Sequence, residues 1–251
     1  MDMQLKGRGV IVTGASKGLG LEMARALAAE GADVLAVARS AESLEALAAE
    51  ETAGSIHAHV CDMRDRRQVA GLVEAAVDRL GRLDVVVNNA GIAPAANFLE
   101  MDLAVYDEVM EVNVAALAVL SQAAGRHFVG AGQGGRIINV VSTSGILGKA
   151  SLVAYSASKG AAIQMTKALA AEWARHDIQV NAIAPGAFAT EAQAYVTQNP
   201  DVLAKRVRKI PARRMADPSE IGALTCYLAS PLSKFVSGAV YVIDGGETAK
   251  Q

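Results

Sequence analysis

The feature that most constrains this chain is a set of short apolar runs that do not alternate. Val85-Val86-Val87 has no polar residue between its members, and Val10-Ile11-Val12 is built the same way. A strand with one face in water alternates apolar and polar residues; a continuous run must be covered on both faces, as in a parallel sheet. Strand-like runs fall at Gly9–Thr13, Asp33–Ala38, Ile56–Cys61, Leu83–Asn88, Gly135–Ser142, Ile178–Ala184 and Ala239–Ile243. Between them lie stretches with helical spacing, such as Leu19–Glu30 with Leu21, Ala24, Leu27 and Ala28, and Arg66–Leu80 with Leu72, Ala75, Ala76 and Leu80. Gly31 and Gly81 stand where C-terminal caps belong. This β-α-β alternation predicts a doubly wound α/β fold, a seven-stranded parallel sheet with helices on both faces.

The chain of 251 residues shows no linker or low-complexity tract, so 1–251 is expected to be a single domain. The segment 187–214, with Pro200 and Pro211, departs from the alternation; it is expected to be a lid over a site, with a surface helical hairpin as the alternative. A net charge of −2 and 4% aromatic content argue against nucleic acid as a partner. No apolar run reaches the roughly 18 residues of a membrane span, and Met1 to Gly9 does not resemble a secretory leader, so a cytoplasmic protein without membrane contact is expected. Cys61 and Cys226 lack disulfide or metal spacing. His57, His59, His127 and His176 form no ligand set either, so no metal is expected.

Gly14, Gly18 and Gly20 follow the first strand and open the first helix. Glycine there permits a tight turn and lets phosphate oxygens approach the helix N-terminal N–H groups. The second strand ends in Ala38-Arg39, where many NAD-binding folds carry an acid for the ribose hydroxyls. Arg39, with Lys17 in the glycine turn, suits a 2′-phosphate instead, so NADP(H) is expected over NAD(H); ordinary solvated bases are the alternative.

Ser142 closes the fifth strand, and Tyr155 and Lys159 share one helix face, one turn apart. A phenol titrates near pH 10, and lowering that to about 7 takes about 4 kcal/mol. A neighbouring ammonium acts in that direction, and a serine hydroxyl can hold a substrate oxygen facing the phenol. Y-x-x-x-K alone is common on helix surfaces.

With these motifs in order, the chain resembles the short-chain dehydrogenase/reductase family from about Leu5 to Gly246. Thr13 to Gly20 is similar to the family's cofactor turn, and Asn88-Asn89-Ala90-Gly91 to its motif after strand four. Asn113, Ser142, Tyr155 and Lys159 resemble its catalytic tetrad, Pro185-Gly186 with Thr190 its nicotinamide-side loop, and Ser237-Gly238 with Asp244-Gly245-Gly246 its C-terminal signature. The resemblance implies a Rossmann-type fold and an oxidoreductase interconverting a carbonyl and a secondary alcohol. It implies Tyr155 as general acid/base, Lys159 on the nicotinamide ribose and Ser142 on the substrate oxygen. Asn113 would bend its helix and hold a relay water. Gly14, Ser16, Lys17, Gly18, Leu19, Gly20, Arg39, Asp62, Met63, Asn89, Ala90, Gly91, Pro185, Gly186, Phe188 and Thr190 would surround the cofactor. Of these, Asp62 would meet the adenine, and Phe188 and Thr190 would flank the carboxamide. Pro94, Ser144 and Tyr195 are expected on the substrate side. A homotetramer or homodimer is also implied. Two substrate classes stay open, a ketone or 3-oxoacyl compound and a sugar, sugar acid or polyol. A non-catalytic dinucleotide-binding regulator is the remote alternative. Arg206, Arg208, Arg213 and Arg214 cluster near the expected lid, either as a site for an acidic substrate or as a solvated face.

Overall fold

Val10, Ile11 and Val12 are all fully buried, but not on the same side. Val10 and Val12 join one apolar cluster with Val85 and Val87, while Ile11 and Val86 join another. The non-alternating runs are therefore strands sandwiched between two helical layers. The structure, a computed structural model, describes residues 1–250.

The strands are β1 (Gly9–Thr13), β2 (Asp33–Ala38), β3 (Ser55–Val60), β4 (Val85–Asn88), β5 (Gly135–Val140), β6 (Ile178–Pro185) and β7 (Val240–Ile243). They form one parallel sheet in the order β3-β2-β1-β4-β5-β6-β7. The chain runs outward from β1 to β3, then returns beside β1 at β4. That reversal opens a crevice at the carboxyl ends of β1 and β4, where ligands of open α/β sheets bind.

Helices α1 (Gly18–Ala29), α2 (Ala41–Ala48) and α3 (Arg66–Leu80) make the first crossovers. α1 buries Met23, Ala24, Leu27 and Ala28 along one stripe. Asp65 caps α3 by accepting from the N–H groups of Arg67 and Gln68, and Gly81 ends it at φ 77°. Then α4 (Leu103–Met110) runs through one π turn, Glu111–Ala115, into α5 (Ala116–Ala131). Next come α6 (Val153–Trp173), the short α7 (Ala194–Thr197) and α8 (Pro200–Val207), and α9 (Gly222–Ala229). Trp173 packs where a Cβ on Gly125 would come within 2.9 Å of its ring.

Small shifts separate these bounds from the sequence expectation. β4 starts at Val85 because Asp84 is engaged by its side chain, accepting from Arg8, Arg82 and the Gly9 N–H. β5 ends at Val140 because Ser142 turns to cap a 3-10 turn, Thr143–Gly145. The 187–214 segment carries α7 and α8 and is pinned at its base, where Ala216 N–H donates to Ala187 and Ala189 N–H donates to Ala216.

Candidate active site

The crevice is built first by Thr13 and Asn89, one at the end of each diverging strand. The Thr13 hydroxyl accepts from the N–H groups of Asn89 at 3.0 Å and Ala90 at 3.1 Å. The Asn89 side chain donates back to the Thr13 carbonyl at 2.8 Å. Gly14 and Gly18 sit at φ 67° and 59°, which glycine adopts without strain. A Cβ on Gly20 would collide with the Gly14 carbonyl and the Asn89 side chain, so the helix start lies directly on the turn. Lys17 leads into α1 with no side-chain cap, so no side chain takes up the N–H groups of the first turn. A Cβ on Gly18 would point at Thr190, 3.6 Å from its methyl. This cradle, open only because glycine lacks Cβ, fits a pyrophosphate.

Arg39 and Lys17 are both solvent-exposed at this end. Arg39 is close enough to Asp62 to help lower its pKa. The main cause is Arg64, whose guanidinium lies 2.6 Å from the Asp62 carboxylate and holds it down to about 2. Asp62 therefore already has a partner, Arg64, two residues along the chain. The side chains of Met63 and Phe188 are buried in the apolar core. Gly186 is required by packing, since a Cβ there would press on Asp244 at 2.6 Å.

On the other side of the crevice, α6 carries Tyr155 and Lys159. Lys159 is 4% exposed, its Nζ donating to the Val140 carbonyl at 2.8 Å and lying 5.7 Å from the Tyr155 ring centroid. Gly91 brings the β4 loop against it, an added Cβ falling 3.4 Å from Nζ. Ser142 is buried at the end of β5. Asn113 sits in the π turn, a feature often found at functional sites. Its side chain accepts from Ile92 N–H and donates to the Ile92 carbonyl, both at 2.9 Å, and donates to Ser158 Oγ at 3.0 Å. Ser158 in turn donates to the Tyr155 carbonyl at 2.7 Å, linking Asn113 to the start of α6.

The electrostatics differ from the simple picture of an ammonium lowering a phenol. Burial pushes the Tyr155 phenol up, and the Ser142 hydroxyl pulls it the other way. Burial also pushes the Lys159 ammonium down to about 8. Both groups lose solvation, and burial is the larger influence on each.

Ser144 donates its N–H to Ser142 Oγ at 3.1 Å; Pro94 is half-buried, whereas Tyr195 on α7 is 73% exposed. Beneath the site, Asn88 donates to Asn139 at 2.9 Å and Asn139 to Thr166 at 2.9 Å, a buried polar chain across β4, β5 and α6. Neither this chain nor Ser158 and Arg64 carries a spacing signal. Thr13 alone was within reach, as the polar end of an otherwise apolar strand. Cys61 and Cys226 are buried thiols, pushed up to about 11 and about 12 by burial. Among the described residues no group of His, Cys, Asp and Glu has the arrangement of a metal site, and no helix is long and apolar enough to cross a membrane.

A family model described as enoyl-(acyl carrier protein) reductase matches residues 14–248. The galactitol 2-dehydrogenase (L-tagatose-forming) of Cereibacter sphaeroides is 39% identical over 247 residues, 98% of this chain and 96% of the relative. The gluconate 5-dehydrogenase of Gluconobacter oxydans (strain 621H) is 36% identical over 246 residues, 97% of this chain and 96% of the relative. A solved gluconate 5-dehydrogenase from Burkholderia cenocepacia J2315, in complex with NADP and tartrate, is similar with a TM-score of 0.93 at 32% identity, covering 100% of this chain and 98% of that one. With its parallel sheet, glycine cradle and Ser-Tyr-Lys cluster, the chain belongs to the short-chain dehydrogenase/reductase family, and is an oxidoreductase that interconverts an alcohol and a carbonyl with a nicotinamide dinucleotide.

Proposed function

We propose that this chain is an NADP(H)-preferring reductase of ketones, working reversibly on the secondary alcohol, with Tyr155 as the general acid/base. The observation that carries the reading is the meeting of Ser142, Tyr155, Lys159 and Asn113 at the carboxyl end of β5, facing the glycine cradle across one crevice. When bound, the nicotinamide supplies or accepts the hydride. Ser142 Oγ holds the substrate oxygen. Tyr155 gives that oxygen a proton in reduction and removes it in oxidation. Lys159 holds ribose hydroxyls and keeps a positive charge beside the phenol. Polar groups of a bound dinucleotide would restore solvation to Nζ, raising its pKa and favouring the phenolate. Asn113 fixes the Ile92 backbone and, through Ser158, the start of α6.

In this reading Gly14, Ser16, Lys17, Gly18, Leu19 and Gly20 hold the pyrophosphate side. Arg39 and Lys17 take the 2′-phosphate, and Asp62 and Met63 border the adenine. Asn89, Ala90, Gly91, Pro185, Gly186, Phe188 and Thr190 border the nicotinamide side, Phe188 through its backbone. Pro94, Ser144 and Tyr195 border the substrate. The chain acts as one dinucleotide-binding and catalytic domain with 187–214 as lid, assembles as a homotetramer or homodimer, and works in the cytoplasm. A second reading, an NAD(H)-dependent sugar, sugar-acid or polyol dehydrogenase, is favoured by the names of the relatives.

Arg39→Asp separates the cofactor alternatives. A carboxylate there repels a 2′-phosphate and accepts from ribose hydroxyls. NADPH binding is expected to weaken and NADH binding to strengthen, measured by fluorescence titration. Unchanged preference removes Arg39 from the assignment.

A further inference from the structure

The amino ends of the strands, at the edge of the sheet opposite Tyr155, gather more positive charge than the fold neutralises. Arg136, the second residue of β5, stands between Val85 of β4 and Gln179 of β6 in the strand register. Register partners point to the same face of a sheet, so these three side chains lie side by side. Arg136 is only 9% exposed, yet its Nε has no hydrogen-bond partner. The ion pairs at this edge leave it out. Asp84 accepts from Arg8 at 2.8 Å, from Arg82 at 2.7 Å and from the Gly9 N–H at 2.9 Å. Asp177 accepts from the Gln179 amide at 3.0 Å and lies 3.0 Å from the Lys234 ammonium.

Burial lowers the Arg136 pKa from its ordinary value, and the nearby Arg8 adds to the fall; Asp177 and Asp84 oppose it from beyond pairing distance. Four cations, Arg8, Arg82, Arg136 and Lys234, thus meet two carboxylates, an excess of two positive charges. A buried lysine can lose its proton, but a guanidinium keeps its charge in a protein. A buried charge without a partner costs several kcal/mol, and an anion that accepts from its N–H groups offsets that cost. Arg8, Arg82 and Lys234 are each partly open to solvent, so an ion can reach the cluster.

We propose that Arg136, with Arg8 and Lys234 as its solvent-facing neighbours, binds a small oxyanion of the phosphate class at the amino edge of the sheet. A phosphate dianion matches the excess of two charges, and its oxygens suit the planar fork of a guanidinium. The site is separate from the dinucleotide crevice. Arg136 precedes Val140, whose carbonyl holds Lys159, by four strand residues, about 13 Å along β5. Binding here stabilises the amino ends of β4, β5 and β6 and takes no part in the reaction at Tyr155.

The test uses the full chain saturated with NADP⁺, so that the dinucleotide crevice is filled. Thermal unfolding is followed in inorganic phosphate, glycerol 3-phosphate or chloride at equal ionic strength. Inorganic phosphate is expected to raise Tm along a saturating curve, about a 10-fold gain in the folding equilibrium at ten times its Kd. A matching curve with glycerol 3-phosphate assigns a site open to phosphate monoesters, and its absence assigns one for the free ion. Arg136→Met keeps the apolar stem and removes the charge. It should abolish the saturating rise, keep turnover, and be at least as stable as the parent in chloride. Lys234→Gln frees the Asp177 carboxylate for Arg136 and should weaken phosphate binding about 3-fold. A rise that is linear in phosphate and equal in the Arg136 variant is the general exclusion effect of such salts and overturns the proposal. So does a Tm that chloride raises as much as phosphate, or an Arg136→Met protein markedly less stable than the parent in chloride.

Discussion

Replacing Thr13 with valine tests how the two halves of the crevice are held together. Thr13 is 1% exposed, and its hydroxyl accepts from two backbone N–H groups of the β4 loop while donating to the Val87 carbonyl at 3.3 Å. Valine has nearly the same shape, so the core keeps its packing and only hydrogen bonds are lost. Each stranded donor costs about 1–3 kcal/mol when fully buried. Asn89 and Ala90 are only half-buried, which places both at the low end. The extra methyl recovers less than about 1 kcal/mol. The net loss is therefore about 1–2 kcal/mol, roughly a 5- to 30-fold fall in the folding equilibrium constant. Urea unfolding at fixed protein concentration, followed by Trp173 fluorescence, reads this as a lower midpoint with an unchanged slope. Thr13→Ser keeps the hydroxyl and should lose only about 1 kcal/mol. NADPH should bind more weakly to the valine variant, because Asn89 and Ala90 border the cradle. A valine variant as stable as the parent, to within about 0.5 kcal/mol, would show that the β4 loop is held by other contacts.

Two further outcomes follow from the site. Lys159 titrates lower in the fold than in an unfolded chain, so the penalty for burying its charge is complete below about pH 8 and vanishes above about pH 10.5. Without added nucleotide, stability of the parent minus that of Lys159→Met should rise across this window, by on the order of 3 kcal/mol; a flat difference by denaturant titration at stepped pH refutes the buried charge. Tyr155→Phe should abolish turnover and leave NADPH affinity nearly intact by fluorescence titration, and full activity would remove Tyr155 as the proton donor.

The non-alternating runs at Val10–Val12 and Val85–Val87 were enough to imply strands covered on both faces, because period-two side-chain geometry leaves no other place for three consecutive apolar residues. Glycine was similarly legible at Gly14 and Gly18, where a turn needs positive φ. The spacing of Tyr155 and Lys159 follows from helix geometry alone. What the sequence could not contain is the set of contacts between segments far apart along it. The Asn113–Ser158 bond spans 45 residues and the Thr13 bonds to the β4 loop span about 76, and neither has a local pattern. The π turn at Glu111–Ala115 has no spacing rule either; it is visible only once Asn113 is seen reaching the Ile92 backbone. Tertiary structure also decided which charges are free. Arg206 and Arg214 were open in the sequence between a site for an acidic substrate and a solvated face, and in the fold they pair with Glu247 and Glu220. Sequence sets each group's chemistry, but solvation and partners arise only when the chain closes, as with Lys159, whose ordinary ammonium becomes a strained charge by burial.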